Sequence, residues 1–540
     1  MHAAWSYQQG LLPFRDFFEH HMPGIYYLLG ALLRSFDAAH DAGAALEALV
    51  AARLLMWTFA LAIVVLTIWL GTLRGTAKAV PYHAGPAVGW LSGALLSTSV
   101  VFVARTLEIR PDVPGIAFWV ASQIAFTYGL RDADTGRRRR WLAIGGLLLG
   151  LTLAFTQKAL LSGPGFALFS LLYVSADRFS AWKSRIVDLV VLVAGVVLPI
   201  AAIAGHFAAH GAVRFLVAGV LTNNLGWIQE VSASSTLHWM LLRDPIFSAL
   251  CVAGLVAASL ALVRAPLDAP DRAIVLLPTL AVIAGLAFIP TPFPQYLLLV
   301  VPTASIYGAE FLEQAMHGAA NANGAAKAAP YRPPDRDLAL TLIVFAGIAV
   351  LGVGIAQPFF RSAFIYPTLA IAALAAIVVV RRRQPAVAAA IAIVTLSTYS
   401  LQQLVWMKGL SNADALGAMR FIHASTSPTD RVMDGFTGFG WFRPQASFYW
   451  FVAPGVRPRM TAEEKADAVA MLSDCRRQPK IVILDDHLRQ LAPGVTPAVE
   501  RGYEKTPYPL VWIADPGTGG CREPASPKRS EGGQSHGTEH

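Results

Sequence analysis

Apolar runs of about 17–25 residues, the length that crosses a bilayer core, recur along the chain. They predict membrane-spanning helices near 49–73, 87–105, 112–130, 141–157, 160–176, 186–208, 245–263, 273–289, 295–313, 338–357, 364–380 and 386–406. The pair at 141–157 and 160–176 is short and meets at a tight Gln157-Lys158 turn. Basic residues gather after alternate runs: Arg74 and Lys78, Arg137 to Arg140, Arg178 with Lys183 and Arg185, Arg264 and Arg272, then Lys327, Arg332 and Arg336, and Arg381 to Arg383. All these clusters share one side, which the positive-inside rule makes cytoplasmic.

The opposite side is then fixed by parity. It receives RDFFEHH near the N-terminus, the LEIRPD connection, Lys158, the 209–244 loop, TPFPQY and everything after 406. Charge at a hydrocarbon boundary is costly unless it is paired or functional. Arg15, Asp16, Glu19, His20 and His21 in the first segment, and Glu108, Arg110 and Asp112 in the second, are therefore candidates for one outer-facing site. An even number of spans also leaves the N-terminus outside with nothing to carry it there, so a further span is expected ahead of Met1.

Composition agrees with a polytopic helical membrane protein. The chain has 540 residues, 55% hydrophobic and 14% charged, with a mean hydropathy of +0.51; soluble domains carry about a quarter charged residues. The net charge of +9 follows the loops and reads as topology, not as nucleic-acid affinity. Three cysteines give no disulfide framework; Cys251 lies in an apolar run, and Cys475 and Cys521 are either a pair or two free thiols.

From about 411 the pattern changes. RFIHAST and TAEEKADAVAMLSDC have helical character, and KIVIL and PLVWI read as short buried strands. The expected organisation is an outer loop with an interfacial helix at 1–48, about 12 spans over 49–406, a small outer-face α/β domain at 411–513 and a disordered tail at 514–540. The 314–336 stretch is an Ala-, Gly- and Asn-rich loop without chemistry. The aromatic-rich 436–451 segment is assigned first to core packing, with sugar stacking or headgroup contact as the alternatives. Asp485, Asp486 and His487 have no second ligand cluster and read as a solvated strand end.

Several segments carry a resemblance. HAAWSYQQGLLPFRDFFEHHMPGIYYLL, LEIRPDVPGIAFW, FTQKALL and PFPQYLLLVVP resemble the signatures of GT-C glycosyltransferases of the family 39 kind. That family contains polyprenyl-phosphate-sugar-dependent enzymes related to protein mannosyltransferases and to the aminoarabinose transferases of lipid A. The likeness spans roughly 2–313. It implies an all-α polytopic GT-C-like fold, a lipid-bound polyprenyl-phosphate sugar as donor, and an acceptor that is a lipid, glycan or protein. It also implies an acidic pair a few residues before the segment matching His2-Ala3-Ala4-Trp5, ahead of this chain. It fixes no cofactor; a divalent metal is compatible with the chemistry, with no ligand cluster to support it.

Such a transfer passes through an oxocarbenium-like transition state, with a carboxylate to deprotonate the acceptor and cations to stabilise the leaving phosphate. Asp16, Glu19, Glu108 and Asp112 are the carboxylates available, and Arg15, His20, His21, Arg110 and Lys158 the cationic groups, with Gln295 and Tyr296 as headgroup contacts. Each has a plainer alternative. RDFFEHH can be an amphipathic interfacial loop anchored by Phe14, Phe17 and Phe18, and Glu108, Arg110 and Asp112 a salt-bridged turn opening a helix at Pro111. Lys158 can snorkel. Pro292 and Pro294 shape a turn; His206 and His210 read as ordinary loop-end residues, and Asn223, Asn224 and Trp227 as loop structure or sugar contacts. A lipid-linked saccharide transporter is the rival function, and it needs polar groups at the midplane, where Gln123 is one of few candidates. A catalytically inactive relative is the third.

Overall fold

The computed structural model describes all residues except 76–84, 107, 176–181, 226, 228–229, 265–269, 318–412 and 516–540. The expected spans at 338–357, 364–380 and 386–406, most of the 314–336 loop and the expected tail beyond 515 lie outside the described residues, while Ala514, expected to open that tail, ends a strand. Before them, α1 (His2–Gln8) and α2 (Gly24–Leu33) precede the long α3 (Ala42–Gly75). The helices α4 (Gly85–Thr98), α5 (Val100–Thr106), α6 (Asp112–Arg131), α7 (Thr135–Phe155), α8 (Gly163–Ser175) and α9 (Trp182–Ala209) follow. After two short helices, α10 (Val213–Val217) and α11 (Asn223–Leu225), come α12 (Ala233–Arg243), α13 (Pro245–Arg264), α14 (Pro270–Leu286) and α15 (Val301–His317).

Every expected span before 318 overlaps helix, but 87–105 is divided between α4 and α5, and 295–313 begins in a 3₁₀ turn (Pro294–Leu299) before α15. Four are at once long and apolar enough to cross a membrane unaided: Ala42–Arg74, Asp112–Arg131, Trp182–Ala209 and Phe247–Arg264. The 87–105 run is bent by 65° between α4 and α5. The bend leaves backbone donors at the start of α5, and the Asp244 carboxylate takes the one from Val100. Leu54, Trp57, Leu61 and Val65 on α3 and Val190, Val193 and Val197 on α9 are exposed, the open apolar faces that lipid contact requires.

Cationic side chains collect at one end of the bundle. Arg131 caps Leu73 O at 2.7 Å and pairs with Asp271 at 2.6 Å. Its neighbour in space, Arg74, meets Glu310 at 2.9 Å. Arg138 and Arg139 hold the fully buried Asp188 at 2.8 and 3.1 Å. The described helix ends that carry Arg74, Arg131, Arg138, Asp188, Asp271 and Glu310 therefore meet at one end of the bundle.

The C-terminal unit opens with α16 (Ala413–Ala424), followed by β1 (Val432–Asp434), α17 (Ala462–Met471), β2 (Ile481–Ile483), α18 (Asp486–Arg489), α19 (Val495–Gly502), β3 (Tyr503–Lys505) and β4 (Val511–Ala514). The sheet order is β1-β2-β4-β3, with β1 and β2 parallel and the other pairs antiparallel. Side chains alternate across it: Ile481 and Ile483 pack with Ala418 and Ile422 of α16, whereas Val482 faces Met471 of α17 and Val499 of α19. KIVIL and PLVWI are strands as expected. The three-residue β1 and β3 are too short to show as a period. Asp485 accepts from Leu488 N at 2.8 Å and caps α18, and Cys475 is disulfide-bonded.

Burial pushes the Asp434 carboxyl up to about 6 against hydrogen bonds from Thr437. A carboxyl raised from 3.8 gives stability that is complete below that pH and lost as pH rises through 6. Asp434→Asn keeps an acceptor for Thr437 without the buried charge. It should therefore raise stability by about 2 kcal/mol at pH 8 and leave it unchanged near pH 4. Unfolding midpoints at the two pH values check this, and an equal effect at both would contradict it.

Candidate active site

At the end of the bundle opposite the arginine-rich one, Asp112 begins α6 immediately after Pro111, a helix start that proline favours. Its carboxylate is buried and receives Lys158 Nζ at 2.8 and 2.9 Å and Thr156 Oγ1 at 2.9 Å. Arg110 Nε lies 3.5 Å away on the other side. Glu108 is bridged by Arg105 and Arg110, each at 2.6 Å. The Lys158 ammonium also sits 4.0 Å above the Tyr296 ring, on the 3₁₀ turn Pro294–Leu299 that also carries half-buried Gln295. Three cations therefore surround two carboxylates, and the ionised Glu19 of the adjoining loop brings the charges into balance.

The first loop supplies the other half. Glu19 is 3% exposed, and its Oε1 accepts from His20 N at 2.9 Å, His21 N at 3.3 Å and His21 Nδ1 at 2.9 Å. Burial opposes its charge, but the His21 hydrogen bond and nearby positive groups hold the carboxyl down at about 2. Burial pushes His20 well below its ordinary value. Gln157 Nε2 and Asn224 Nδ2 both donate to His20 O at 2.8 Å, and Gln157 Oε1 accepts from Met22 N, so the loop is tied beside Lys158. Electrostatic contact runs both ways, from His21 to Asp112 and from Lys158 to His20.

Phe14, at φ 69°, turns the loop and packs on Gly219, where a Cβ would lie 2.1 Å from the ring. Only glycine fits at that π-helical turn, Ala218–Thr222. Arg15 and Asp16 pair with each other at 2.7 Å, and Asp16 accepts from Leu12 N. They shape the turn and stand apart from the Asp112 array, whereas Glu19, His20 and His21 adjoin it. His206 and His210 lie elsewhere, beside Tyr7 and Tyr27.

Among the described residues, Glu19, His20 and His21 are the group that could hold a metal ion, their ligand atoms all within 4.8 Å of one another. His20 Nδ1 is buried without a hydrogen-bond partner, and a carboxylate with two imidazoles suits a divalent cation. In the sequence His20 and His21 read only as cations, with no ligand cluster; the adjacent EHH run is the signal that could have shown one.

Other contacts were not foreseen. Trp227 donates to Glu230 at 2.8 Å and lies 4.9 Å from the His20 ring. Phe18 N donates to Phe448 O at 2.8 Å and Trp450 Nε1 to Phe18 O at 2.9 Å, which joins the first loop to the C-terminal unit. The aromatic 436–451 segment therefore serves as the interface. Arg459, from the same unit, reaches Asn223 at 3.1 Å and lies 5.3 Å from the Trp227 ring.

No family model matches the chain, and no curated protein does. Solved structures do match. A crystal structure of ArnT from Cupriavidus metallidurans bound to undecaprenyl phosphate is similar over 95% of this chain and 92% of that one, with a TM-score of 0.60 and 13% identity. The apo state of the same protein gives 0.58 and 13%, over 95% and 91%. Such identity shows the fold alone: an ArnT-like, mostly helical fold with helices long and apolar enough to cross a membrane and a small C-terminal sheet.

Proposed function

We propose that this chain is a membrane glycosyltransferase of the GT-C type, moving a sugar from a polyprenyl-phosphate donor to an acceptor outside the cytoplasm. The observation that carries this is the array of half-buried Arg110 with buried Asp112 and Lys158, set at the bundle end away from the arginine-rich helix ends. Undecaprenyl phosphate bound to the structurally similar ArnT supports it. In the transfer, an acceptor hydroxyl oxygen forms a bond to the anomeric carbon and gives its proton to the Glu19 carboxylate, while the bond to the phosphate oxygen breaks and the phosphate leaves with the electron pair. Arg110 and Lys158 stabilise that departing charge. Asp112 and Glu108 act as positioning residues that hold the cations in place. Glu19 is the carboxylate on the acceptor side, with His20 and His21 beside it, and Tyr296 and Gln295 line the approach to Lys158.

By the positive-inside rule, the arginine-rich end is cytoplasmic and the site faces out of an inner membrane. Single cysteines placed at 16 and 108 should both label from the extracytoplasmic side; reaction of either one only from the cytoplasm would overturn that orientation. For function, protein in nanodiscs should bind undecaprenyl phosphate and release it when given an undecaprenyl-phosphate-linked sugar and an acceptor extract. Wild-type protein that does not bind undecaprenyl phosphate would sink the proposal. One observation favours a transporter instead: Gln123, fully buried within α6, has neither amide atom hydrogen-bonded. Yet the charged groups described above gather at the two ends of the bundle, whereas a transport path needs them along its length.

A further inference from the structure

The corner between α12 and α13 holds a buried carboxylate that the transfer described above does not use. Asp244 closes α12 just before Pro245 and is 3% exposed. It lies against the break between α4 and α5, where its Oδ2 accepts from Val100 N, with Ser99 Oγ and Val101 N as further donors. A 65° bend inside a span frees backbone donors that lipid cannot satisfy. The seven residues of α5 are also too few to hold an orientation by their own hydrogen bonds. A cap from a distant part of the chain sets that orientation instead.

Two elements lead from Asp244 to the cation array. Arg105, in the last turn of α5, pairs with Glu108 at 2.6 Å, and Glu108 pairs with Arg110 at 2.6 Å. Along α12, Thr236 Oγ1 donates to Pro292 O, just ahead of the 3₁₀ turn that sets the Tyr296 ring beneath the Lys158 ammonium. Both α5 and α12 pack on that turn. One buried group thus joins the helix that aims Arg110 to the helix that supports the ring under Lys158.

We propose that Asp244 is a positioning residue of the donor site. By fixing the α4–α5 break to the start of α13, it holds Arg105, Glu108 and Arg110 in register with Lys158 and Tyr296 around the lipid phosphate. The assignment rests on the glycosyltransferase function proposed above. Asp244 itself touches no substrate and acts only through α5 and α12.

Affinities of the full-length protein in nanodiscs for undecaprenyl phosphate and for undecaprenol, the same lipid without its phosphate, test it. Wild type should bind the phosphate about tenfold or more tightly than the alcohol. Asp244→Ala should lose most of that margin with undecaprenol affinity unchanged, a split that general loosening of the bundle would not give. Asp244→Asn keeps one acceptor oxygen for three donors, so it should fold and narrow the margin by about threefold. Arg105→Gln should narrow the margin by itself, and adding Asp244→Ala to it should cost less than Asp244→Ala costs alone, because α5 transmits both. A wild-type margin in Asp244→Ala, or in Asp244→Asn if the alanine variant does not fold, would overturn the assignment. Equal losses for phosphate and alcohol would overturn it as well. A wild type that does not prefer the phosphate would instead overturn the transferase function, and this assignment with it.

Discussion

Lys158→Ala should lower folding stability by about 3 kcal/mol and weaken undecaprenyl phosphate binding about tenfold or more. The stability loss follows from the Asp112 carboxylate, which is buried and takes two of its hydrogen bonds from the Lys158 ammonium. Thr156 and a more distant Arg110 remain to it, so the residual charge is under-compensated. Adding Asp112→Ala removes that charge and should restore much of the stability. It should not restore lipid binding, because the phosphate still lacks the ammonium. Unfolding midpoints and lipid affinities on the single and double variants separate the two effects. Wild-type lipid affinity in Lys158→Ala would remove this side chain from the donor site, and parallel recovery of both quantities would make its role purely structural.

The membrane portion was legible because a bilayer imposes a length and a composition on each crossing, and α3, α6, α9 and α13 satisfy both. The break between α4 and α5 was not. Ser97, Thr98 and Ser99 interrupt the apolar run only mildly, and the carboxylate that receives the freed Val100 N–H comes from Asp244, far along the chain. The site divides in the same way. Local density of titratable groups singled out both charged knots, but density cannot say which group faces which. Arg15 and Asp16 share a motif with Glu19 yet turn to each other, and Lys158 meets a carboxylate that belongs to a separate helix. Arg459 was invisible for the same reason. Within RPRM it is one more basic residue, and only the docking of the C-terminal unit brings it to Asn223 and Trp227.

That docking is where the second large effect is expected, in Arg443→Ala. Arg443 is 1% exposed, and its guanidinium donates to Thr426 Oγ1 at 2.7 Å and to the carbonyls of Phe442, Ala39, Thr426 and His423 at 2.8, 2.9, 3.1 and 3.2 Å. Carbonyl dipoles from two parts of the chain thus stand in for a counter-ion, and one of them, Ala39, belongs to the loop before α3. His423 reinforces the join through Ala38 O at 2.9 Å. Alanine would leave one buried and three part-buried carbonyls without this donor and open a cavity, at a cost of about 4 kcal/mol. Lysine keeps the charge but has three donors on a flexible stem and no planar fork, so it should recover about half of that. Because Phe442 packs into the same core as Trp5 and α2, the loss should appear first as loosening between the C-terminal unit and the 34–41 loop. Limited proteolysis of the full-length protein in nanodiscs should show new cleavage within 34–41 in Arg443→Ala and less of it in Arg443→Lys. A wild-type cleavage pattern and unfolding midpoint in the alanine variant would show that the aromatic contacts alone hold the unit in place.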